Sequence, residues 1–220
     1  MYQLSKKVLA EALILDMDGL LVDSEPLWFD VERDFARARG ADFTPELGNL
    51  CAGRGMTHTL RLMEEQLGLP IDPFRDTQII VDMVVERVHT LRLKPGAREL
   101  VDSAESEHVP MALASSSARR LVEAVLGRFE LRPFLRAVVC GDEVERVKPA
   151  PDLFLLASTV LGVLPSACVV LEDSMVGVLA ARAAKMRVFA VPERDAKAFE
   201  GVADRVMADL HEALGSLRFS

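Results

Sequence analysis

Five short apolar runs recur along the chain with no polar residue alternating through them: Ala12–Asp16, Met111–Ser115, Ala137–Gly141, Cys168–Asp173 and Arg187–Val191. A strand with one wet face alternates apolar and polar residues. A run that is apolar in both registers must be covered on both faces, which is the situation of a parallel sheet between helix layers. Helical spacing lies between the last four runs, over Ala118–Leu131, Pro151–Leu161 (stopped by Gly162) and Met175–Met186. Strand–helix–strand repetition implies right-handed crossovers and an α/β sandwich.

One interval breaks this rhythm. The stretch between Asp16 and Met111 is about three times the length of a strand–helix–strand unit, and most of it reads as helix. Leu27, Val31 and Phe35 follow Pro26 at helical spacing and stop at Gly40, and Thr44-Pro45 has the form of a helix start. Leu60, Met63 and Leu67 mark another helix closed by Gly68. Phe74, Ile80, Val84, Val88 and Leu91 mark a fourth, ending before Lys94-Pro95-Gly96. A helical insert is thus spliced into an α/β core near Asp23–Leu93.

Composition limits the function. The net charge of −8 disfavours general nucleic-acid binding, which needs clustered Lys and Arg, but leaves room for a small phosphorylated metabolite. Cys51, Cys140 and Cys168 are odd in number and far apart, which argues against a disulfide framework and for a reducing compartment. The opening apolar run is interrupted by Glu11 and meets Asp16, too short and polar for a signal peptide or membrane span. The expectation is a cytoplasmic monomer with no membrane or nucleic-acid partner.

In an open parallel sheet, ligands gather outside the carboxyl ends of the strands. The first run ends in Asp16-Met17-Asp18-Gly19 and the second in Ser115-Ser116-Ser117. The loop after the third holds Lys148-Pro149, and the fourth ends in Glu172-Asp173-Ser174. Singly, each has an ordinary use: Asp-Gly makes turns, Ser115 would cap the next helix, a loop lysine is solvated, and acids precede helices. Their joint order on successive strand ends points to one site. Carboxylates gathered there repel unless a cation is present, and an oxygen-only set suits Mg²⁺ with a substrate phosphate. A lysine neutralises a phosphate oxygen while Ser115 and nearby amides donate hydrogen bonds. Asp16 is then placed to attack phosphorus. Asp18 can protonate the leaving alcohol and later take a proton from water. The chemistry is phosphoryl transfer.

These residues resemble, over essentially the whole chain, the haloacid dehalogenase (HAD) superfamily in its branch of sugar-phosphate phosphatases and β-phosphoglucomutase-like proteins. D-x-D-G-L-L-V-D-S-E at Asp16–Glu25, A-S-S-S at Ala114–Ser117, V-K-P-A-P-D at Val147–Asp152 and L-E-D-S at Leu171–Ser174 are similar to the family's four motifs, in order. The resemblance implies an α/β fold: a Rossmann-like parallel-sheet core (residues 1–22 and 94–220) with a mobile α-helical cap (residues 23–93) inserted after the first strand. It implies Asp16 as nucleophile, Asp18 as acid/base, and Ser115, Ser116 and Lys148 as holders of the phosphate. It also implies Mg²⁺ bound by the carboxylates of Asp16 and Asp173 and the main-chain oxygen of Asp18, with Glu172 at the metal directly or through water.

Departures from the family pattern narrow the activity. The family's dehalogenases and phosphonate hydrolases lack the second aspartate of the first motif, Asp18 here. β-Phosphoglucomutases carry a histidine where this chain has Trp28, and a cap arginine where Met56 falls. A mutase must return the phosphoryl group before water attacks, so loss of that histidine weighs against one. D-S-E-P-L-W at Asp23–Trp28 looks more like sugar-phosphate and 2-deoxyglucose-6-phosphate phosphatases. The expectation is an Mg²⁺-dependent phosphatase of a small phosphomonoester, a sugar phosphate, acting through an aspartyl phosphate. A phosphosugar mutase is the alternative. A receiver-like phospho-relay module is a weaker one, because receivers are shorter, have no helical insert and have no use for Asp18. Glu25, Trp28 and Arg54 are candidate substrate-reading residues of the cap. His58, His89, His108 and His211 are scattered and receive no site.

Overall fold

The computed structural model describes residues 7–51, 53 and 55–219. Among the described residues, eight strands form two groups: β1 (Val8–Ala10), β2 (Ala12–Leu15), β3 (Met111–Ala114), β4 (Ala137–Val139), β5 (Cys168–Glu172), β6 (Arg187–Ala190), β7 (Arg205–Val206) and β8 (Leu217–Phe219). Six make one parallel sheet in the order β4-β3-β2-β5-β6-β7, and β1 pairs with β8 as a separate parallel ribbon. The five runs read from the sequence are all strands of the main sheet. The sequence reading did not include β1, β7 and β8, which are two or three residues long and too short to show a period.

Helices α5 (Ala97–Ser106), α6 (Arg119–Arg128), α7 (Asp152–Leu161), α8 (Met175–Ala183) and α9 (Leu210–Ser216) flank the sheet, and α5 and α9 were likewise unanticipated. Successive strand residues face opposite sides. Leu13 and Leu15 join a cluster with Leu100, Val101, Leu121 and Val125, on α5 and α6. Ala12 and Ile14 join one with Leu153, Phe154, Val178 and Ala181, on α7 and α8. Every residue of β2 is buried, so its run carries no polar alternation.

Between β2 and β3 lie α1 (Glu25–Arg37), α2 (Pro45–Cys51), α3 (Met56–Leu67) and α4 (Pro73–Glu86). Their boundaries follow local chemistry. Thr44 Oγ1 accepts the Leu47 N–H at 3.3 Å, Asp72 accepts the Arg75 N–H at 3.0 Å, and Gly68 closes α3 with φ 65°. The fourth helix ends at Glu86, with Val88–Thr90 following as a 3₁₀ turn, so the expected helix to Leu91 is shorter than its apolar spacing suggested. The chain leaves and re-enters the sheet side by side. Asp23 N–H donates to the Arg92 carbonyl and Lys94 N–H to the Leu21 carbonyl, both at 2.9 Å, around an antiparallel bridge between Val22 and Leu93. Among the described residues, no helix is long and apolar enough to cross a membrane.

Glu32 is a buried carboxyl on α1, hydrogen-bonded to Thr59 of α3. Burial pushes it from its ordinary 4.5 to about 8, and the Thr59 bond only partly opposes this. The folded state therefore keeps a proton that the unfolded chain releases near 4.5, and stability falls as pH rises between these two values. Glu32→Gln, neutral and of the same shape, should remove that slope. Thermal melts should show the variant gaining on the parent protein between about pH 5 and about pH 8.

Candidate active site

The sheet order reverses at β2: the chain runs outward through β3 and β4, then crosses to β5 on the other side of β2. Loops leaving β3 and β5 therefore diverge, and a crevice opens at the carboxyl end of β2. Asp16 directly follows β2, Ser115 directly follows β3, and Glu172 is the last residue of β5. Asp16 N–H continues the sheet ladder to the Leu171 carbonyl, and Ser115 N–H to that of Val139, each at 3.1 Å.

Lys148 reaches into this crevice from the loop between β4 and α7, with its side chain only 4% exposed. Its ammonium donates to Asp16 Oδ1 and to Glu172 Oε1, the latter at 2.6 Å, and lies 5.0 Å from the centroid of the Phe154 ring. The other Glu172 oxygen accepts both the N–H and the hydroxyl of Ser174 at 2.9 Å. Ser174 in turn caps α8 by accepting the Gly177 N–H at 3.2 Å. A side chain at Gly177 would overlap the Glu172 carboxylate, so glycine is required there for that carboxylate to lie against the helix. Gly19, with φ +78°, turns the chain after Asp18 so tightly that a Cβ would strike the Asp173 carboxylate.

The carboxylate oxygens of Asp16, Glu172 and Asp173 lie within 4.8 Å of one another. Burial is the main force raising Asp16, to about 8; Lys148 opposes it and Glu172 adds to it. Asp173 is raised well above the usual carboxylate range, first by burial and then by Glu172 and Asp16. For Lys148, burial works against the charge, but Asp16 and Glu172 more than offset it and hold the amine above its ordinary value. The one ammonium thus bonds two of the three clustered carboxyls, Asp16 and Glu172, and the oxygen-only donor set fits a small hard divalent cation such as Mg²⁺.

Asp18 is arranged differently. Its carboxylate is not among the clustered oxygens: Oδ1 accepts the Trp28 indole N–H at 3.1 Å, and Oδ2 accepts the Ser117 hydroxyl at 2.8 Å. Ser115 is buried and does not cap α6, whose first flanking residue is Ala118; its hydroxyl accepts the Ser117 N–H at 3.1 Å. Ser116 is half-buried on the same loop, with its carbonyl against Gly141. Glu25 makes a partly exposed ion pair with Arg194 at 3.4 Å rather than a hydrogen bond to Lys148 or the clustered carboxylates. Arg54 lies outside the described residues. The sequence reading passed over Ser117, Ser174 and Gly177. The first two stood in the motifs A-S-S-S and L-E-D-S, while Gly177 carried no signal beyond being a helical glycine.

Replacing Lys148 with methionine keeps the bulk and removes the shared cation. Breaking such a buried pair is expected to lower unfolding stability by about 3 kcal/mol. Urea unfolding of Lys148→Met in EDTA should show this loss, and Mg²⁺ should recover part of it.

The haloacid dehalogenase-like hydrolase family profile matches residues 13–191. Hexitol phosphatase B of Escherichia coli (strain K12) is 34% identical over 203 residues, covering 84% of this chain and 85% of that protein. A phosphorylated carbohydrates phosphatase of Thermotoga maritima is 35% identical over 184 residues, covering 82% and 85%. The crystal structure of CbbY from Rhodobacter sphaeroides in complex with phosphate superposes with a TM-score of 0.81 at 27% identity, covering 92% of this chain and 96% of that one.

Proposed function

The chain belongs to the haloacid dehalogenase-like hydrolases, and from that premise we propose that it is an Mg²⁺-dependent phosphatase of small phosphorylated sugars or polyols that works through an aspartyl phosphate on Asp16. The observation that carries the reading is the pairing of Asp16 with Lys148 while Asp18, two residues on, is held by separate partners. The named relatives act on hexitol phosphates and phosphorylated carbohydrates, which supports the substrate class.

In this reading Asp16, Asp173 and the main-chain oxygen of Asp18 hold Mg²⁺, with Glu172 beside them. When bound, the ion neutralises charge on the phosphate and on the carboxylates. Lys148, Ser115, Ser116 and adjacent amides hold the phosphoryl oxygens. An Asp16 oxygen attacks phosphorus, the bond from phosphorus to the sugar oxygen breaks, and the Asp18 proton passes to that oxygen. Water then attacks the aspartyl phosphate, Asp18 takes its proton, and the Asp16–phosphorus bond breaks to release inorganic phosphate. Residues 23–93 serve as a cap that excludes bulk water, and Glu25, Trp28 and Arg54 are its candidate substrate-reading residues. The enzyme is a cytoplasmic monomer whose partner is the metabolite itself.

Hydrolysis is favoured over mutase chemistry by Trp28: an indole N–H only donates, so it cannot shuttle a proton as a histidine can. A phospho-relay role has no support among phosphatase relatives. Phosphate release from a panel of hexose, hexitol, pentose and 2-deoxyhexose phosphates should require Mg²⁺ and cease with EDTA. It should fall by at least about a thousandfold in Asp16→Asn. Full activity in purified Asp16→Asn would overturn the nucleophile. Interconversion of β-glucose 1-phosphate and glucose 6-phosphate without free phosphate would favour the mutase.

A further inference from the structure

Trp28 and Ser117 both end on one carboxylate. They come from opposite sides of the crevice: Trp28 from α1 of the inserted helices, Ser117 from the loop after β3. We propose that they are positioning residues for Asp18, a two-sided clamp that aims its carboxyl at the leaving-group oxygen only when the inserted helices lie against the sheet. This rests on the phosphatase reading above and adds to it.

Asp18 stands on a tight turn in which Gly19 N–H bonds the Val22 carbonyl at 2.9 Å, so its backbone is fixed while its side chain is not. An aspartate held at one oxygen still swings about that contact, whereas one held at both is fixed in plane and direction. The two donors differ in chemistry. The indole N–H donates and cannot accept, so Oδ1 stays the acceptor; the Ser117 hydroxyl can turn and accept. The indole therefore fixes the direction of one oxygen, while the hydroxyl can follow the other as the carboxyl works. Proton transfer then coincides with cleavage of the bond between phosphorus and the leaving oxygen, and Asp18 is left ionised, ready to take a proton from water.

The clamp depends on closure because one jaw belongs to the insert. Other contacts across the same seam hold the insert in place: Arg194 to Asn49 at 3.1 Å, and the ion pair of Arg120 with Asp82. None of these reaches Asp18. If the insert swings away, Ser117 alone remains.

The test separates positioning of the acid from general support of the cap. kcat/KM reports the first phosphoryl transfer. A sugar alkoxide needs a proton to leave, whereas p-nitrophenolate does not. In Trp28→Phe, which keeps the ring and removes the N–H, kcat/KM should fall at least about tenfold on the best sugar phosphate and less than about threefold on p-nitrophenyl phosphate. Ser117→Ala should show the same sense of discrimination, with Asp18→Asn setting its limit. Equal losses on both substrates, or none on either, overturn the proposal. Should Trp28→Phe fold poorly, Ser117→Ala decides the same question from the sheet side. A readout independent of turnover uses Trp28 as the sole tryptophan. Asp18→Asn removes the anion beside the indole and should shift its fluorescence emission, and an unchanged spectrum overturns the contact. A parent enzyme inactive on both substrates defeats the phosphatase reading instead, and leaves the fluorescence result to judge the contact by itself.

Discussion

The ammonium of Lys148 holds together groups that would otherwise repel. Asp16 and Glu172 end neighbouring parallel strands, and the register that pairs Leu15 with Leu171 brings their side chains to the same buried edge. Two carboxylates there cost several kcal/mol each unless a cation meets them, and the lysine meets both. It arrives from a different loop, and the geometry around Glu172 is built to receive it: Ser174 takes one oxygen, Gly177 clears space, and Lys148 takes the other. Asp16 and Asp173, whose ionisation burial and mutual repulsion oppose, gain most from a metal ion at this edge, and with it a phosphate.

The sheet was legible in the sequence because burial on both faces leaves a plain mark. Leu13 and Leu15 answer to one helix layer, Ala12 and Ile14 to the other, and no position is left for a polar residue. The clustered residues were legible for a related reason. Asp16, Ser115 and Glu172 sit where an apolar run stops, and parallel strands stop at the same edge. Short elements left no such mark: β7 has two residues, and β1 and β8 exist only because each finds the other across the length of the chain. The early end of α4 was hidden because Val88 and Leu91 are buried beyond the helix by the turn that follows it, so apolar spacing continued after the helix had ended.

Side chains facing the sheet from the inserted helices were harder to assign. Their role depends on how α1 is rotated and on how far the insert closes, and neither is written in spacing. Glu25 and Trp28 are neighbours on the first turn of α1, yet one pairs outward with Arg194 and the other inward with Asp18. Ser117 was one of three consecutive serines, and only the fold distinguishes the hydroxyl that meets Asp18 from the one that accepts the Ser117 N–H.

The paired segments at Leu21–Asp23 and Arg92–Lys94 have an evolutionary reading. Because the excursion starts and finishes at adjacent hydrogen bonds, the sheet sees only a short ladder rung, whatever lies beyond it. Lengthening, shortening or exchanging what lies between leaves the order and register of the strands untouched. Selection can therefore alter what the crevice admits while the residues at the strand ends stay as they are. A graft of a foreign helical segment at this rung should be judged by what it admits to the crevice, since the sheet beneath has no means of noticing the change.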